Sequence, residues 1–420
     1  LRTHDPHPLL TRPAGIRTLY RPEHERDACG TGFVANVDGR REHDVLATAL
    51  ACVRNLTHRG ALLDAETGDG AGVLTQVPAG MLRAAVETAG HTLARDSDLG
   101  VGTIFLPRDA AGQAAGRALV EAAVARQGLK LFGWRDVPVD SSVLGRNAVA
   151  SEPAIAQVLV GRPQHGTDDE YERRLFLARK EIEEEALAQR LRLYVPSMSH
   201  RTIVYKGLLV AHQLPLYYPD LKDPRYETAL AVFHQRYSTN TMPSWELSQP
   251  FRMLAHNGEI NTLAANKNWM QARGPELAAP DTWGERIEQL QPIVQPGGSD
   301  TAALDNALET IVLSGRDVRH ALMMLVPEAW ENMPNMPEAL RAFYEYHACI
   351  TEPWDGPASL AFSDGIVAGA CLDRNGLRPS RYIVTESGRV IAGSEVGMVE
   401  VDPATVVEKG RLGPGQMIAV

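Results

Sequence analysis

Cysteine is scarce in this chain, with 4 in 420 residues. The four stand at Cys29, Cys52, Cys349 and Cys371, and no two form a Cys-x-x-Cys pair. That spacing argues against a disulfide framework and offers no cluster with metal-ligand spacing. It fits a reducing cytoplasm. No apolar run of about eighteen residues occurs, so no membrane span is expected. No basic lead runs into an apolar segment, so no secretory signal is expected either. Positive charge is in deficit: 42 Lys and Arg against 52 Asp and Glu leave a formal net charge of −10. A phosphate binder normally carries a basic face, so nucleic acid is not expected as a partner. Internal repeats and low-complexity segments are missing as well.

What is present is enough apolar material for a real core, 44% of residues. The length allows two or three domains, or one large layered unit of helices and sheets with an appendage. The chain begins with Leu1 and stops inside the apolar run Ile418-Ala419-Val420, which reads as a piece of a longer polypeptide. Residues 1–28 are rich in Pro, Arg and His, lack periodicity and read as a loose leader. Residues 30–37 read as a strand closed by a hairpin turn at Asp38-Gly39. Residues 43–56 read as a helix with Cys52 on its apolar side, and residues 110–126 as a second. Residues 168–190 give the clearest helix, capped by Asp168 or Thr167. There Glu172, Arg173, Arg179, Lys180, Glu181 and Glu185 are expected to form a solvated face opposite Leu175, Phe176, Leu187 and Leu191. Residues 201–211 are β-rich, 302–313 and 338–348 helical, and short strands alternate with turns from 366 onward. Strands at both ends around helices in the middle imply that the ends share sheets.

Five stretches carry chemistry. In Asp27-Ala28-Cys29-Gly30-Thr31-Gly32, Cys29 is either a small buried hydrophobe or a nucleophile at a strand edge, with glycines keeping space open. In Thr67-Gly68-Asp69-Gly70-Ala71-Gly72, dense glycine permits tight turns and close approach. No Lys-Ser/Thr follows, so this is no Walker site, and a substrate-covering loop is the more natural reading. Arg236 sits among small polar residues after an apolar approach. Asn257-Gly258 places a side-chain amide beside an open backbone N–H, which can make an oxyanion hole or simply a turn, and Asn261 can cap a helix over 262–270. Asp300, after Gly297-Gly298, can be an N-cap or a functional carboxylate. His58 and His256 adjoin these residues and read as structural, and Trp245, Trp269 and Trp354 as packing residues.

The runs CGTGF, HRGALL, GDGAGVLTQVP, QRYSTNTMPSWELSQPFRMLAHNGEINTLAANKNWM, GGSDTAALDN, FYEYHACITEPWDGPASLAFSDG and LDRNGLRPSRYIVT together resemble the amidotransferase domain of the large subunit of glutamate synthase, over nearly the whole chain. The resemblance implies an α+β, N-terminal-nucleophile hydrolase fold, four-layer αββα, with two antiparallel sheets packed face to face. It implies two segments: a propeptide-like leader over 1–28, cut between Ala28 and Cys29, and an amidotransferase domain over 29–420 that starts a longer chain. Cys29 would then be the nucleophile and its freed α-amino group the general base. Asn257 and Gly258 would hold the oxyanion, Arg236 the α-carboxylate of glutamine and Asp300 its α-ammonium. Arg59 and the Gly68–Gly72 loop would belong to the loop closing over the substrate. The resemblance implies no cofactor in this stretch; FMN and an iron–sulfur cluster would lie beyond residue 420. Its partners would be glutamine, the downstream synthase domain reached by an ammonia tunnel, and either a small NADPH-oxidising subunit or ferredoxin as electron source. Two competing readings are another class II amidotransferase or stand-alone glutaminase, and a non-catalytic module with the same fold. The EPWDGPASLAFSDG and LDRNGLRPSRY runs speak against the first, and the presence of Cys29, Asn257 and Gly258 against the second.

Overall fold

A computed structural model describes residues 29–64, 66–236, 241–274 and 280–420. The leader expected over residues 1–28 lies outside the described residues. Two antiparallel sheets face each other. The larger has seven strands in the order Val406–Arg411, Arg381–Thr385, Arg389–Gly393, Gly30–Asn36, Leu230–Gln235, Ala71–Gln76 and Thr202–Gly207. The smaller has four, in the order Met417–Ala419, Ala368–Leu372, Ala358–Ser363 and Leu254–Gly258. The first and last parts of the chain do share a sheet, since Phe33 pairs with Ala392 and Val34 with Ile391.

Alternation along Gly30–Asn36 explains the layering. Phe33 and Ala35 point into the space between the sheets, where they meet Ala255, Ala361 and Ala370. Val34 points the other way, onto Val45, Ala49 and Cys52 of the helix His43–Asn55. The intersheet surface is rich in alanine, which lets two sheets close without voids. Gly32 faces the same way as Val34, and a Cβ there would lie 2.1 Å from the Ala392 carbonyl oxygen of the neighbouring strand and 2.6 Å from the Phe233 ring. On the far side of the smaller sheet, Leu254, Leu360 and Phe362 pack on Ala303, Leu304 and Ala307 of the helix Asp300–Leu313.

Two expectations need correction here. Asp38-Gly39 turns into the helix at His43 instead of closing a hairpin; the strand's neighbours are Leu230–Gln235 and Arg389–Gly393. The expected two sheets are joined by a third, with strands in the order Lys130–Asp136, Ala154–Gly161, Leu99–Leu106 and Tyr194–Ser199. The helices Ala110–Arg126 and Asp168–Ala188 cover it through Leu119, Val120, Leu175 and Ile182. Leu99–Leu106 is buried at every position, so it shows no polar alternation by which a strand announces itself.

The third sheet also explains why the charged helix is not a solvated face. Thr167 caps it, its side chain accepting from the Glu170 N–H. Glu172, Arg179 and Lys180 are nevertheless buried, while Leu187 is exposed. The helix is wedged between the third sheet and Asp300–Leu313, so its charges pair inside the protein. Arg179 bonds Glu183 at 2.8 Å and also Glu309, and Arg252 bonds Glu183 at 2.6 Å. Beside them Asp305, fully buried, accepts from the backbone N–H groups of Met253 (2.8 Å), Arg252 (3.2 Å) and Leu254 (3.2 Å). Asp305 thus ties Asp300–Leu313 to the start of the strand that ends in Asn257-Gly258. Asp305→Ala would orphan three buried amides and remove a counter-charge of Arg252. The expected cost is about 3–5 kcal/mol, read as a fall in the urea midpoint of unfolding.

Candidate active site

Cys29 lies at the head of Gly30–Asn36, with Gly30 opposite Gln235 and Thr31 opposite His234. Strand alternation turns it the same way as Thr31 and Phe33, toward the smaller sheet. Its segment is pinned by Ser394, whose hydroxyl accepts from the Thr31 N–H at 2.9 Å and donates to carbonyls of Cys29 and Thr31 at 3.3 and 3.1 Å. The thiol is buried, 3% exposed. Burial pushes its pKa up to about 11; the guanidinium groups of Arg236 and Arg378 oppose that rise, and the carboxylates of Asp69 and Asp300 add to it. Two of the sequence-expected residues, Arg236 and Asp300, are therefore near enough for their charges to bear on the thiol.

Asn257 and Gly258 end the strand Leu254–Gly258, which packs on the strands headed by Cys29 and ended by Gln235. The Nε2 of His234 contacts the His256 carbonyl at 3.2 Å and joins the two sheets at this end. Asn257 shares the parity of Ala255, which faces the intersheet space. Its side chain is 1% exposed, and its Nδ2 makes no hydrogen bond among the described residues. Buried donors are nearly always satisfied, so an unspent one is a reserve for a ligand. Gly258 is held by close approach: a Cβ there would stand 1.8 Å from the Pro357 oxygen and 2.6 Å from His256 Nε2. Gly258→Ala must push the two strands apart, at an expected cost of about 2 kcal/mol or more, visible as a lowered Tm.

Asp300 is not the cap of its helix; Ser299 is, its side chain accepting from the Ala302 N–H. The Asp300 carboxylate accepts instead from the N–H groups of Thr301 (2.6 Å) and Ile260 (3.0 Å). His256 supports this corner, with Nδ1 3.0 Å from Thr301 Oγ1 and 4.0 Å from Asp300 Oδ2. Burial holds the His256 imidazole below its usual pKa, which fits the structural role read from the sequence. Thr262, not Asn261, stands before the next helix, Leu263–Arg273. Trp245 and Trp354 are buried packing residues, whereas Trp269 is exposed.

Arg236 stands at the end of Leu230–Gln235 with φ of 108°, a conformation rare outside glycine. Its N–H donates to the Gly70 carbonyl at 2.8 Å, and its Nε lies 3.7 Å from Asp69 Oδ2. This overturns the covering-loop reading of Gly68–Gly72. Residues 67–72 are buried, and 71 and 72 already belong to an inner strand of the seven-stranded sheet. The glycines serve close packing: a Cβ on Gly68 would meet the Leu209 oxygen at 2.2 Å, and one on Gly72 the Gln249 oxygen at 2.5 Å.

Arg59 is placed differently from the rest. Its Nε bonds Glu395 at 2.6 Å, beside His58, whose Nε2 lies 2.9 Å from the same carboxylate. Sequence reasoning missed Asp69 and Arg378, although both stand inside runs that carried the resemblance; the burial of Asp69 has no signature in a single sequence. Among the described residues no group of three or more His, Cys, Asp or Glu is placed to hold a metal, and no helix is long and apolar enough to cross a membrane.

The family profile described as glutamine amidotransferases class-II matches residues 29–420. The glutamate synthase [NADPH] large chain of Azospirillum brasilense is 44% identical over 404 residues, 96% of this chain and 26% of that protein. The ferredoxin-dependent glutamate synthase 2 of Synechocystis is 47% identical over 399 residues, 94% of this chain and 25% of that protein. The glutamate synthase [NADPH] large chain of Bacillus subtilis is 42% identical over 404 residues, 96% of this chain and 26% of that protein. This chain thus spans about a quarter of the length of these relatives. A solved structure of glutamine phosphoribosylpyrophosphate amidotransferase from B. subtilis covers 76% of this chain and 46% of its own at 14% identity and a TM-score of 0.31, a likeness that carries no argument. The chain belongs to the class-II glutamine amidotransferases.

Proposed function

We propose that this chain hydrolyses the side-chain amide of glutamine through Cys29 and supplies the ammonia to a synthase domain further along the same polypeptide. The observation that carries the reading is the company of Cys29: Arg236 and Asp300 in its field and, on the facing strand, Asn257 with an unspent buried donor. An amino acid offers a carboxylate, an ammonium and, here, an amide carbonyl. The site offers a guanidinium for the first, a carboxylate for the second and an oxyanion hole for the third.

In the proposed sequence, removal of residues 1–28 frees the Cys29 α-amine. An α-amine ordinarily titrates at about 7.7–8.0, and this one would take the thiol proton at neutral pH. Sulfur attacks the amide carbon, and Asn257 Nδ2 and the Gly258 N–H hold the resulting oxyanion. The C–N bond breaks, the amine returns its proton to the leaving nitrogen, and ammonia departs from a γ-glutamyl thioester. Water, with its proton drawn by the same amine, hydrolyses the thioester to glutamate and the free thiol. Arg236 and Asp300 fix the amino-acid end, and Arg59 would belong to a loop that closes over the substrate. In this reading the two facing sheets and their outer helices form the four-layer αββα body of an N-terminal-nucleophile hydrolase, with the third sheet as an addition.

Ammonia would then aminate 2-oxoglutarate reductively in the full-length enzyme. FMN and an iron–sulfur cluster would be held by the chain beyond residue 420, with NADPH through a small subunit, or ferredoxin, as electron source and the cytoplasm as its place. The test is ammonia and glutamate release by the full-length protein. Equal amounts from glutamine, and none from asparagine, support the reading. Absence of glutamine-dependent ammonia release from protein that begins at Cys29 contradicts it.

A further inference from the structure

We infer that Asp69 is a positioning residue that aims Arg236 at the substrate α-carboxylate. This rests on the glutaminase reading and deepens it.

Asp69 is wholly buried, 0% exposed. A carboxylate with no access to water is tolerated only where a counter-charge and donors replace it. The recorded counter-charge is the Arg236 guanidinium, with Nε 3.7 Å from Oδ2. The backbone tells the same story. The Arg236 N–H donates to the oxygen of Gly70, the residue after Asp69, at 2.8 Å. Gly70 itself sits at φ of 138°, which only glycine adopts without strain. A Cβ on Gly70 would lie 2.9 Å from Ser248 Oγ and 3.4 Å from the Arg236 oxygen. Main chain and side chain of Arg236 are therefore both mounted on the two-residue segment Asp69-Gly70. That mount is rigid on its other side, because the Asp69 N–H donates to the Ala61 carbonyl at 3.1 Å and Ala71 pairs with both Gln235 and Gly207.

A guanidinium reads a carboxylate through a planar fork, so its orientation matters more than its charge. Arginine at the strained φ of 108° has many orientations that miss the substrate. A buried carboxylate at its Nε side selects among them before glutamine arrives, which lowers the cost of ordering the arginine on binding. Asp69 also lies within the field of the Cys29 thiol, so the same acid links substrate recognition to the nucleophile.

The experiment compares Asp69→Asn, Asp69→Glu and wild type in the full-length protein, using L-glutamine and L-glutamine α-amide, which lacks the α-carboxylate. Wild type should prefer glutamine strongly. Asp69→Asn should raise KM for glutamine about ten-fold or more, with kcat changed less than about three-fold, and should lose most of the preference over the α-amide. Asp69→Glu should recover part of it. A merely structural acid would lower activity on both substrates alike, and an unchanged preference in Asp69→Asn overturns the inference while leaving the glutaminase reading intact. Failure of wild type to hydrolyse glutamine counts against that reading instead. Should Asp69→Asn not fold, the Asp69→Asn/Arg236→Gln pair decides: recovered folding supports the pairing, and continued unfolding makes Asp69 structural and overturns the proposal.

Discussion

Cys29→Ala should abolish glutamine-dependent ammonia release, lowering it by about 10⁴-fold or more, while the protein keeps its fold. The size of the effect follows from the absence of a substitute: a thioester needs a cysteine, and Cys52, Cys349 and Cys371 stand on the helix His43–Asn55, at the end of the helix Glu338–Ala348 and on the strand Ala368–Leu372. The fold should survive because the thiol fills little space at the edge of the intersheet core. The thiol alone is a poor nucleophile here. Burial pushes its pKa up to about 11, so at pH 7 only about one molecule in ten thousand is ionised without help. Arg236 and Arg378 soften that penalty without removing it. A base adjacent to the sulfur is required, and a freed α-amine at residue 29 is the base the proposed cut supplies. Protein that retains residues 1–28 should accordingly be far less active at neutral pH than protein starting at Cys29, with iodoacetamide alkylation of Cys29 becoming fast only as pH rises toward about 11.

Asn257→Ala should lower kcat by about 10²–10³-fold with little change in KM for glutamine. The Nδ2 group is buried without a hydrogen-bond partner among the described residues. In the proposed cycle it bonds most strongly when the amide oxygen becomes an oxyanion. An interaction made mainly in the transition state appears in kcat and not in KM. Steady-state kinetics on glutamine checks this, and an equal fall in binding and turnover would assign Asn257 to ground-state recognition instead.

The contrast between the legible and illegible parts is physical. Cys29, Asn257, Gly258 and Asp300 could be named from the sequence because each belongs to a run whose wording resembles the family. The helix over residues 43–55 and the pairing of the chain's two ends followed from periodicity and from the distribution of strands. The third sheet did not, because its inner strands Leu99–Leu106 and Ala154–Gly161 are buried nearly throughout and resemble any apolar run. The charges of Asp168–Ala188 misled for a related reason: helical periodicity shows which positions share a face, and not what covers that face. Ser299 displaced Asp300 as cap, releasing the Asp300 carboxylate for another duty, and a sequence with two adjacent capping residues cannot say which is used. Gly68–Gly72 misled most. Glycine density signals permissive backbone, and the chain uses that permission for tight packing under Arg236 instead of for movement.

The central claim is that Cys29, as the first residue of the mature chain, attacks glutamine. The most direct test is to treat the purified full-length protein with 6-diazo-5-oxonorleucine, then determine its N-terminus and map the adduct by mass spectrometry. The account predicts an N-terminal Cys29 carrying a single adduct, with glutamine-dependent ammonia release lost in proportion to labelling. Full-rate glutamine hydrolysis by protein that retains residues 1–28, or inactivation with the adduct on another residue, would contradict it.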